Sequence, residues 1–480
     1  MDKPALISGI RWTLFTSFFR RTITLLLFYF LAKWLTKDDL GVFREYSLIL
    51  AFLSGVTLLS LDMHYIIEQK RRLTGLLALW QSVLLASAVW LIILTLASGL
   101  LGKLYQSPLL GSLFLWTSLF LVLEIWRKAV RAVAQKNRQF RQLALAETAN
   151  VVFYSLLTVC LLFFWRYLWL YLVLFYLGNL VETIWLWRLN SSAFHRIFRN
   201  LLRKARWQVL RLTLLRNRAF LSVATLVTGI NQFSGNAPVF VLGLLVSPLY
   251  MGLFYFASQL IGVPVGMFTT AVNQVFFPVF AGQKDGDIHK TASRYVRLIG
   301  AVGLPLLMLF GFILMHATVW LFGSKWQQAI PLIPVMFLLF GSSLYCNPLS
   351  GIPFLKRKPA WELWWNIIGL VVRVSALLLG MRVSFREALW LYAYASALMN
   401  LAFYLMSMKL LQVKLRESLT QVCVGLIPTF LFALVINLVR HHPAWQSLTL
   451  ATLFCALIIL LTDLVSGGKL RSDIRLLLNK

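Results

Sequence analysis

Long apolar stretches alternate with short polar ones along almost the whole chain. Windows long enough to cross about 30 Å of hydrocarbon fall at 11–34, 45–67, 75–101, 108–126, 143–165, 167–187, 219–246, 249–279, 295–321, 329–350, 361–381, 387–409, 418–439 and 445–466. The pattern predicts an all-α integral membrane protein of about fourteen transmembrane helices with short connectors. Six spans precede a basic stretch, six follow it, and two more close the chain. This predicts an N-terminal six-helix lobe over 1–187, a basic linker over 188–218, a C-terminal six-helix lobe over 219–411, and an appended helix pair with a tail over 412–480. The two lobes are expected to enclose a central cavity, with the first and seventh spans facing each other across it.

The linker changes the picture most. Between Arg188 and Arg218 it carries nine Lys/Arg and no acid. So dense a basic loop resists translocation and fixes itself on the cytoplasmic side. Phe198, Leu201, Leu202, Trp207, Leu210 and Leu214 recur within it at roughly helical spacing. That predicts an amphipathic helix on the anionic inner leaflet, although a solvated connector would carry the same charge. With both termini inside, 33 of the 46 Lys/Arg fall in inner loops and tails, nine in outer loops and four arginines within spans. The outer loops are short, so any chemistry on that side needs a site built from helix ends.

Composition agrees: 60% of the 480 residues are hydrophobic and the mean hydropathy is +0.78, which excludes a soluble enzyme. The net charge of +30 sits in loops beside membrane spans, so topology and anionic lipid account for it and nucleic acid is not expected. Cys160, Cys346, Cys423 and Cys455 fall inside apolar runs without metal or disulfide spacing, and are expected to be core thiols. The six histidines are scattered. No metal or cofactor is expected, and no cleaved signal peptide.

Candidate chemistry lies where polar residues enter the spans. Arg20 and Arg21 fall near the middle of the first, where an arginine costs a few kcal/mol and normally faces a polar cavity. Thr13, Ser17, Arg20 and Thr24 follow spacings of 4, 3 and 4 and form one helix face. In the seventh span Gly229, Gly235 and Pro238 predict a weakened or kinked helix, with Asn231, Gln232 and Asn236 supplying amide donors and acceptors. Pro264 and Gly266 predict a bend in the eighth. Glu362, Asn366, Gly369 and Arg373 again run 4, 3, 4 in the eleventh. Asn366 and Asn400 also suit interhelical hydrogen bonds. Glu124 and Glu182 lie near inner ends of their spans, beside Arg127 and Arg188, and are expected to pair there. Glu147, above Asn150, is the acid that could carry a proton or sodium. The deep charges are mostly arginines, which suits an anionic substrate.

A faint repeat joins the halves. Leu40-Gly41-Val42-Phe43 lies between the first and second spans, and Met251-Gly252-Leu253-Phe254 between the seventh and eighth. Parallel repeats of this kind are a transporter signature. Further motifs are Trp34 to Phe43; Arg131 to Glu147 with Gln135, Phe140 and Leu143-Ala144; Gly252 to Tyr255 with Gln259-Leu260; Val275 to Pro278 with Gln283-Lys284-Asp285; and Leu321-Phe322-Gly323-Ser324-Lys325-Trp326-Gln327-Gln328-Ala329. Their order and spacing resemble the polysaccharide transporter (Wzx-type, colanic-acid-exporter-like) branch of the multidrug/oligosaccharidyl-lipid/polysaccharide exporter superfamily. Many relatives carry an acid near Asn236-Ala237; this chain has none there.

The resemblance implies two six-helix lobes around a cavity, plus a C-terminal helix pair, in a bacterial inner membrane. It implies a flippase moving undecaprenyl-pyrophosphate-linked oligosaccharide to the periplasmic leaflet by alternating access. The chain is then expected to be a monomer, with anionic inner-leaflet lipid and polysaccharide polymerase machinery as further partners. Arg20, Arg21 and Arg373 would hold the pyrophosphate, and Asn231, Gln232 and Asn236 the sugar. Thr13, Ser17, Thr24 and Asn366 would line the cavity, and Glu147 would couple an ion. The competing readings are a drug efflux pump of the same superfamily, which would use cavity acids for cations, and a membrane polysaccharide polymerase or ligase, which would need a substantial outer loop.

Overall fold

The computed structural model of the chain describes residues 3–67, 73–104, 108–137, 139–191, 207–282, 299–346, 352–355 and 359–413, with a few isolated positions between and beyond them. It is an all-α, multi-pass membrane fold. The chain divides into two compact units, Met1–Gly252 and Leu253–Lys480.

The first unit contains α1 (Lys3–Trp34), α2 (Lys37–Val56), α3 (Leu61–Ile67), α4 (Leu73–Leu104), α5 (Pro108–Lys136), α6 (Phe140–Phe164), α7 (Leu168–Leu189), α8 (Trp207–Arg216) and α9 (Arg218–Leu245). It ends in the first turn of α10 (Pro248–Gly282). Within it α4 packs on α5, α1 on α6, α6 and α5 on α7, and α2 on α5 and α9. The unit extends beyond residue 218 because α8 lies on α4 and α9 on α2.

The motif around Thr36 has a direct physical reading. Thr36 caps α2 with a reciprocal box: Asp39 N–H donates to Thr36 Oγ1 at 3.1 Å, and Thr36 N–H donates to Asp39 Oδ2 at 3.1 Å. Leu35 and Leu40 flank the cap and are both buried. The cap starts α2 at Lys37, eight residues before the apolar window suggests. The second span is also interrupted. Leu59 and Ser60 take positive φ, which ends α2 and restarts the chain as α3.

The glycines and prolines of the seventh and eighth spans do not interrupt their helices. Arg218 to Leu245 is one continuous helix with Pro238 inside it, and α10 runs unbroken through Pro264 and Gly266. Intrahelical hydrogen bonds have no competitor in lipid, so one missing N–H does not divide a long apolar helix. The fourteen expected spans are likewise not all evident. Eight helices among the described residues are long and apolar enough to cross a membrane: Thr74–Leu104, Phe140–Phe164, Leu168–Leu189, Pro248–Met267, Leu304–Phe322, Ser324–Leu344, Trp364–Met381 and Phe385–Leu410. α1, α2, α5 and α9 are also of spanning length. The last two predicted spans lie outside the described residues, apart from isolated positions, and so does 192–206 of the linker.

The described end of the linker is helical, as expected. α8 buries Leu210, whose N–H donates to Gln81 Oε1 on α4 at 3.1 Å, and it turns Leu212 and Leu215 outward. Phe163, Phe164, Trp165 and Tyr167 project from the α6–α7 junction, as aromatic side chains do at a membrane–water boundary.

The second unit contains α11 (Leu304–Phe322), a 3₁₀ segment (Ser324–Leu332), α12 (Ile333–Cys346), α13 (Pro359–Met381) and α14 (Phe385–Leu410). α14 packs on α13 and α12. Gly323 takes a φ of 92°, which reverses the chain after α11 and seats Trp326 flat on Phe256, with ring centroids 4.1 Å apart. Two of the motifs, around Gly252–Tyr255 and Leu321–Ala329, are thereby parts of one aromatic contact. Cys346 is buried, whereas Cys160 faces out from the bundle and is not a core thiol.

Candidate functional site

The charged residues of the first unit converge on one buried network. Glu124 sits three residues before Arg127 on α5, so both lie on one helix face, and the carboxylate takes both arms of the guanidinium fork at 2.6 and 2.9 Å. Arg127 also donates to Glu182 on α7 at 3.0 Å. One turn on, Arg131 reaches the same Glu182 at 3.4 Å and pairs with Glu147 on α6. Glu147 in turn pairs with Arg20 from α1. Four helices thus meet through one chain of alternating charge. Asn150 closes it, donating to Asn179 and to Glu182, each at 2.9 Å. Lys128 donates to the Ser54 carbonyl on α2.

Three carboxylates here face three arginines and a lysine, and Glu182 is fully buried. A guanidinium this deep is tolerable because it is paired and hydrogen-bonded. The surplus is positive, and partly buried Arg21 adds to it from the next position on α1. Such a cluster can neutralise and orient an anion. Among the described residues no group of three or more His, Cys, Asp or Glu is placed to hold a metal.

The expected site residues separate into several places. Arg20 and Glu147, read as an anion ligand and an ion-coupling acid, are partners of each other. Thr24 shares α1 with Arg20, and its hydroxyl donates to the Arg20 carbonyl at 2.9 Å. Glu182 pairs with Arg127 and Arg131 and not with Arg188, which faces outward. On α9 the Asn236 amide donates to the Gln232 carbonyl at 3.0 Å. In the second unit Arg373 donates to Asn400 Oδ1 at 3.4 Å, and Asn400 donates to Ser342 at 3.0 Å. Asn400 therefore ties α14 to α13 and α12, as an interhelical hydrogen bond should. Asn366 lies on α13, partly buried. The side chains of Thr13, Ser17 and Asn231 lie outside the described residues.

Sequence reasoning did not single out Arg131 or Lys128 as members of the site. The signal was present as Glu124 at the end of the apolar window and Arg127, Lys128 and Arg131 just beyond it, at helical spacing. It was hidden because α5 continues ten residues past that window as a charged extension.

Residues 30–331 match the family described as polysaccharide biosynthesis protein. The chain belongs to that family. It is 22% identical over 380 residues to the lipopolysaccharide biosynthesis protein WzxC of Escherichia coli (strain K12), covering 78% of this chain and 75% of the relative. It is also 22% identical over 170 residues to the teichuronic acid biosynthesis protein TuaB of Bacillus subtilis (strain 168), covering 35% of each. Among solved structures it resembles the lipid II flippase MurJ in an inward closed conformation, with a TM-score of 0.67, 13% identity, and 95% and 99% of the two chains covered. An inward-facing multidrug resistance MATE family transporter of the MOP superfamily matches with a TM-score of 0.60, 13% identity, and 82% and 95% covered. At this identity the likeness is one of fold.

Proposed function

We propose that this family member is a flippase for undecaprenyl-pyrophosphate-linked oligosaccharide repeat units, which it moves from the cytoplasmic to the periplasmic leaflet of a bacterial inner membrane by alternating access. It would serve cell-surface polysaccharide synthesis such as O-antigen, capsule or exopolysaccharide. The observation that carries the reading is the net-positive network around Arg20, Arg127 and Arg131, inside a fold shared with a lipid II flippase. A pyrophosphate accepts bidentate, charge-assisted hydrogen bonds from guanidinium groups, whereas an organic cation would be repelled there. That charge argues against drug efflux.

In this reading Arg20, Arg21 and Arg373 are anion-binding side chains. Asn231, Gln232 and Asn236 offer amides to sugar, and the acyl tail stays in lipid. Both termini and the basic linker face the cytoplasm. The fourteen-helix, two-lobe arrangement around a central cavity belongs to the same proposal.

The test is mass spectrometry of lipid-linked sugars in a deletion strain, paired with flipping of a synthetic undecaprenyl-pyrophosphate-linked disaccharide in proteoliposomes. Accumulation of an undecaprenyl-pyrophosphate oligosaccharide on deletion is expected. Unchanged lipid-linked sugars together with export of cationic dyes would overturn the reading.

A further inference from the structure

Glu147 is placed differently from the other two acids of the network. Glu124 is locked in the two-armed pair with Arg127, its neighbour on the same helix. Glu182 is fully buried and held by Arg127, Arg131 and Asn150. Glu147 stands at the open end of the chain of charges, with 14% of its side chain exposed. Each of its oxygens is given to one guanidinium, Oε2 to Arg20 of α1 and Oε1 to Arg131 of α5. Its carboxylate has no further hydrogen-bond or ion-pair partner among the described residues.

The two guanidinium groups are fixed independently of Glu147. Arg20 donates from Nε to the Thr16 carbonyl of its own helix at 3.3 Å. Arg131 places its Nε 3.4 Å from Glu182. Glu182 is itself anchored by Arg127 and Asn150 at 3.0 and 2.9 Å. Each arginine is thus held at Nε and turns a terminal nitrogen toward the same spot, where Glu147 sits. Without that carboxylate the pair would be an anion site already built, its side chains 21% and 26% exposed. The cations Arg20, Arg127, Lys128 and Arg131 would then face only Glu124 and Glu182, a surplus of two positive charges.

We propose that Glu147 is a built-in stand-in for the cargo's diphosphate, which displaces it from Arg20 and Arg131, and that this exchange makes the site select two linked phosphates over one. The inference rests on the transport reading above. Two bare guanidinium groups inside a membrane would be costly and would take up any anion that reached them. The commonest such anion is the single phosphate of bulk phospholipid. Glu147 supplies the same charge from a tether, so it meets the arginines at high effective concentration. A lone phosphate brings no more charge than the carboxylate it would remove, and it loses that competition. A diphosphate joining lipid to sugar carries one negative charge on each phosphate. It can give one phosphate to each guanidinium fork, in the bidentate geometry that a single carboxylate shared by two arginines does not provide. Its charge equals the surplus that Glu147 leaves behind. Specificity here comes from an internal competitor that only the doubly charged ligand outbids.

The test is calorimetric titration of the purified full chain with two short-chain probes, a citronellyl-diphospho-sugar and its monophospho counterpart. The unmodified chain should bind the diphospho probe at least about tenfold more tightly than the other. Glu147→Gln should bind the monophospho probe about tenfold more tightly than the unmodified chain does, which narrows the preference. A purely structural Glu147 predicts the opposite sign, because a loosened site binds both probes more weakly. Unchanged or weaker monophospho binding by folded Glu147→Gln would therefore overturn the proposal. Arg131→Lys keeps the charge and loses the fork, and should bind the diphospho probe about tenfold more weakly. Undiminished binding by that variant would also overturn the proposal, and it decides the matter if Glu147→Gln does not fold. If neither probe binds but Glu147→Gln gains affinity for inorganic pyrophosphate, the exchange stands and the lipid-linked cargo reading fails. Absence of all anion binding overturns the exchange, while the lipid-linked sugars of the deletion strain still decide the transport reading.

Discussion

Glu147→Gln is the most informative single change, because one carboxylate holds two guanidinium groups from different helices. The substitution preserves volume, removes the charge and turns one of the two acceptor oxygens into an amide donor. Side-chain exposures of 14% for Glu147, 21% for Arg20 and 26% for Arg131 place the site between dry interior and open water. Each charge-assisted contact is worth about 1.5–3 kcal/mol in such surroundings, and a fully buried pair about 3–5 kcal/mol when one partner is removed. Two contacts are lost, solvent screens part of the effect, and Arg20 and Arg131 are left facing each other. The expected loss is about 2–4 kcal/mol. Reversible unfolding in detergent of the unmodified chain, Glu147→Gln, Arg20→Gln and the double variant forms a cycle that isolates the pair. A favourable coupling of about 1–3 kcal/mol is expected, with the double variant more stable than the sum of its parts implies. Additivity within about 0.5 kcal/mol would refute the ion pair. The same proteins separate structure from recognition. If Arg20 also meets the pyrophosphate, the double variant reaches normal abundance and still fails to flip the lipid-linked probe. Normal flipping would make Arg20 a structural counter-ion only.

Three further outcomes can be checked independently. Thr36→Ala removes the capping box of α2 and should cost about 1 kcal/mol in the same unfolding assay, with Thr36→Ser close to the unmodified chain. Where the starts of α2 and α10 cross, Gly41→Ala drives a methyl group into the Pro248 carbonyl and Gly252→Ala drives one into the Lys37 carbonyl. Each should cost about 1–3 kcal/mol; unchanged stability in both would refute the close crossing. A cysteine at Ser247 should be labelled by an impermeant reagent from outside and one at Ser191 should not; the reverse pattern would overturn the cytoplasmic assignment of the linker.

Much of this protein is legible in one dimension. Apolar runs of spanning length, the Lys/Arg excess in alternate loops and the cap at Thr36 are properties of neighbouring residues, and each acts over a few turns of helix or less. They suffice for a multi-pass helical membrane protein and for the helix at the end of the linker. The alternating 4, 3, 4 spacings also place polar residues on common faces. What they do not contain is the rotation of each helix about its axis and the order in which helices pack. Arg20 looked like an uncompensated anion ligand because Glu147 lies 127 residues away, and only the packing of α1 on α6 brings the two together. Glu182 had Arg188 nearby in sequence, yet the side of α7 that faces α5 gives it Arg127 and Arg131 instead. Glu45 lies beside Arg44 at the edge of an apolar window, where nothing adjacent in the sequence marks it out. The packing of α9 on α2 leaves it buried, with no hydrogen-bond partner among the described residues. Local pattern determined which residues enter the membrane. Tertiary packing decided which charges found partners there, because a charge in a medium of low polarity is governed by its nearest neighbours in space.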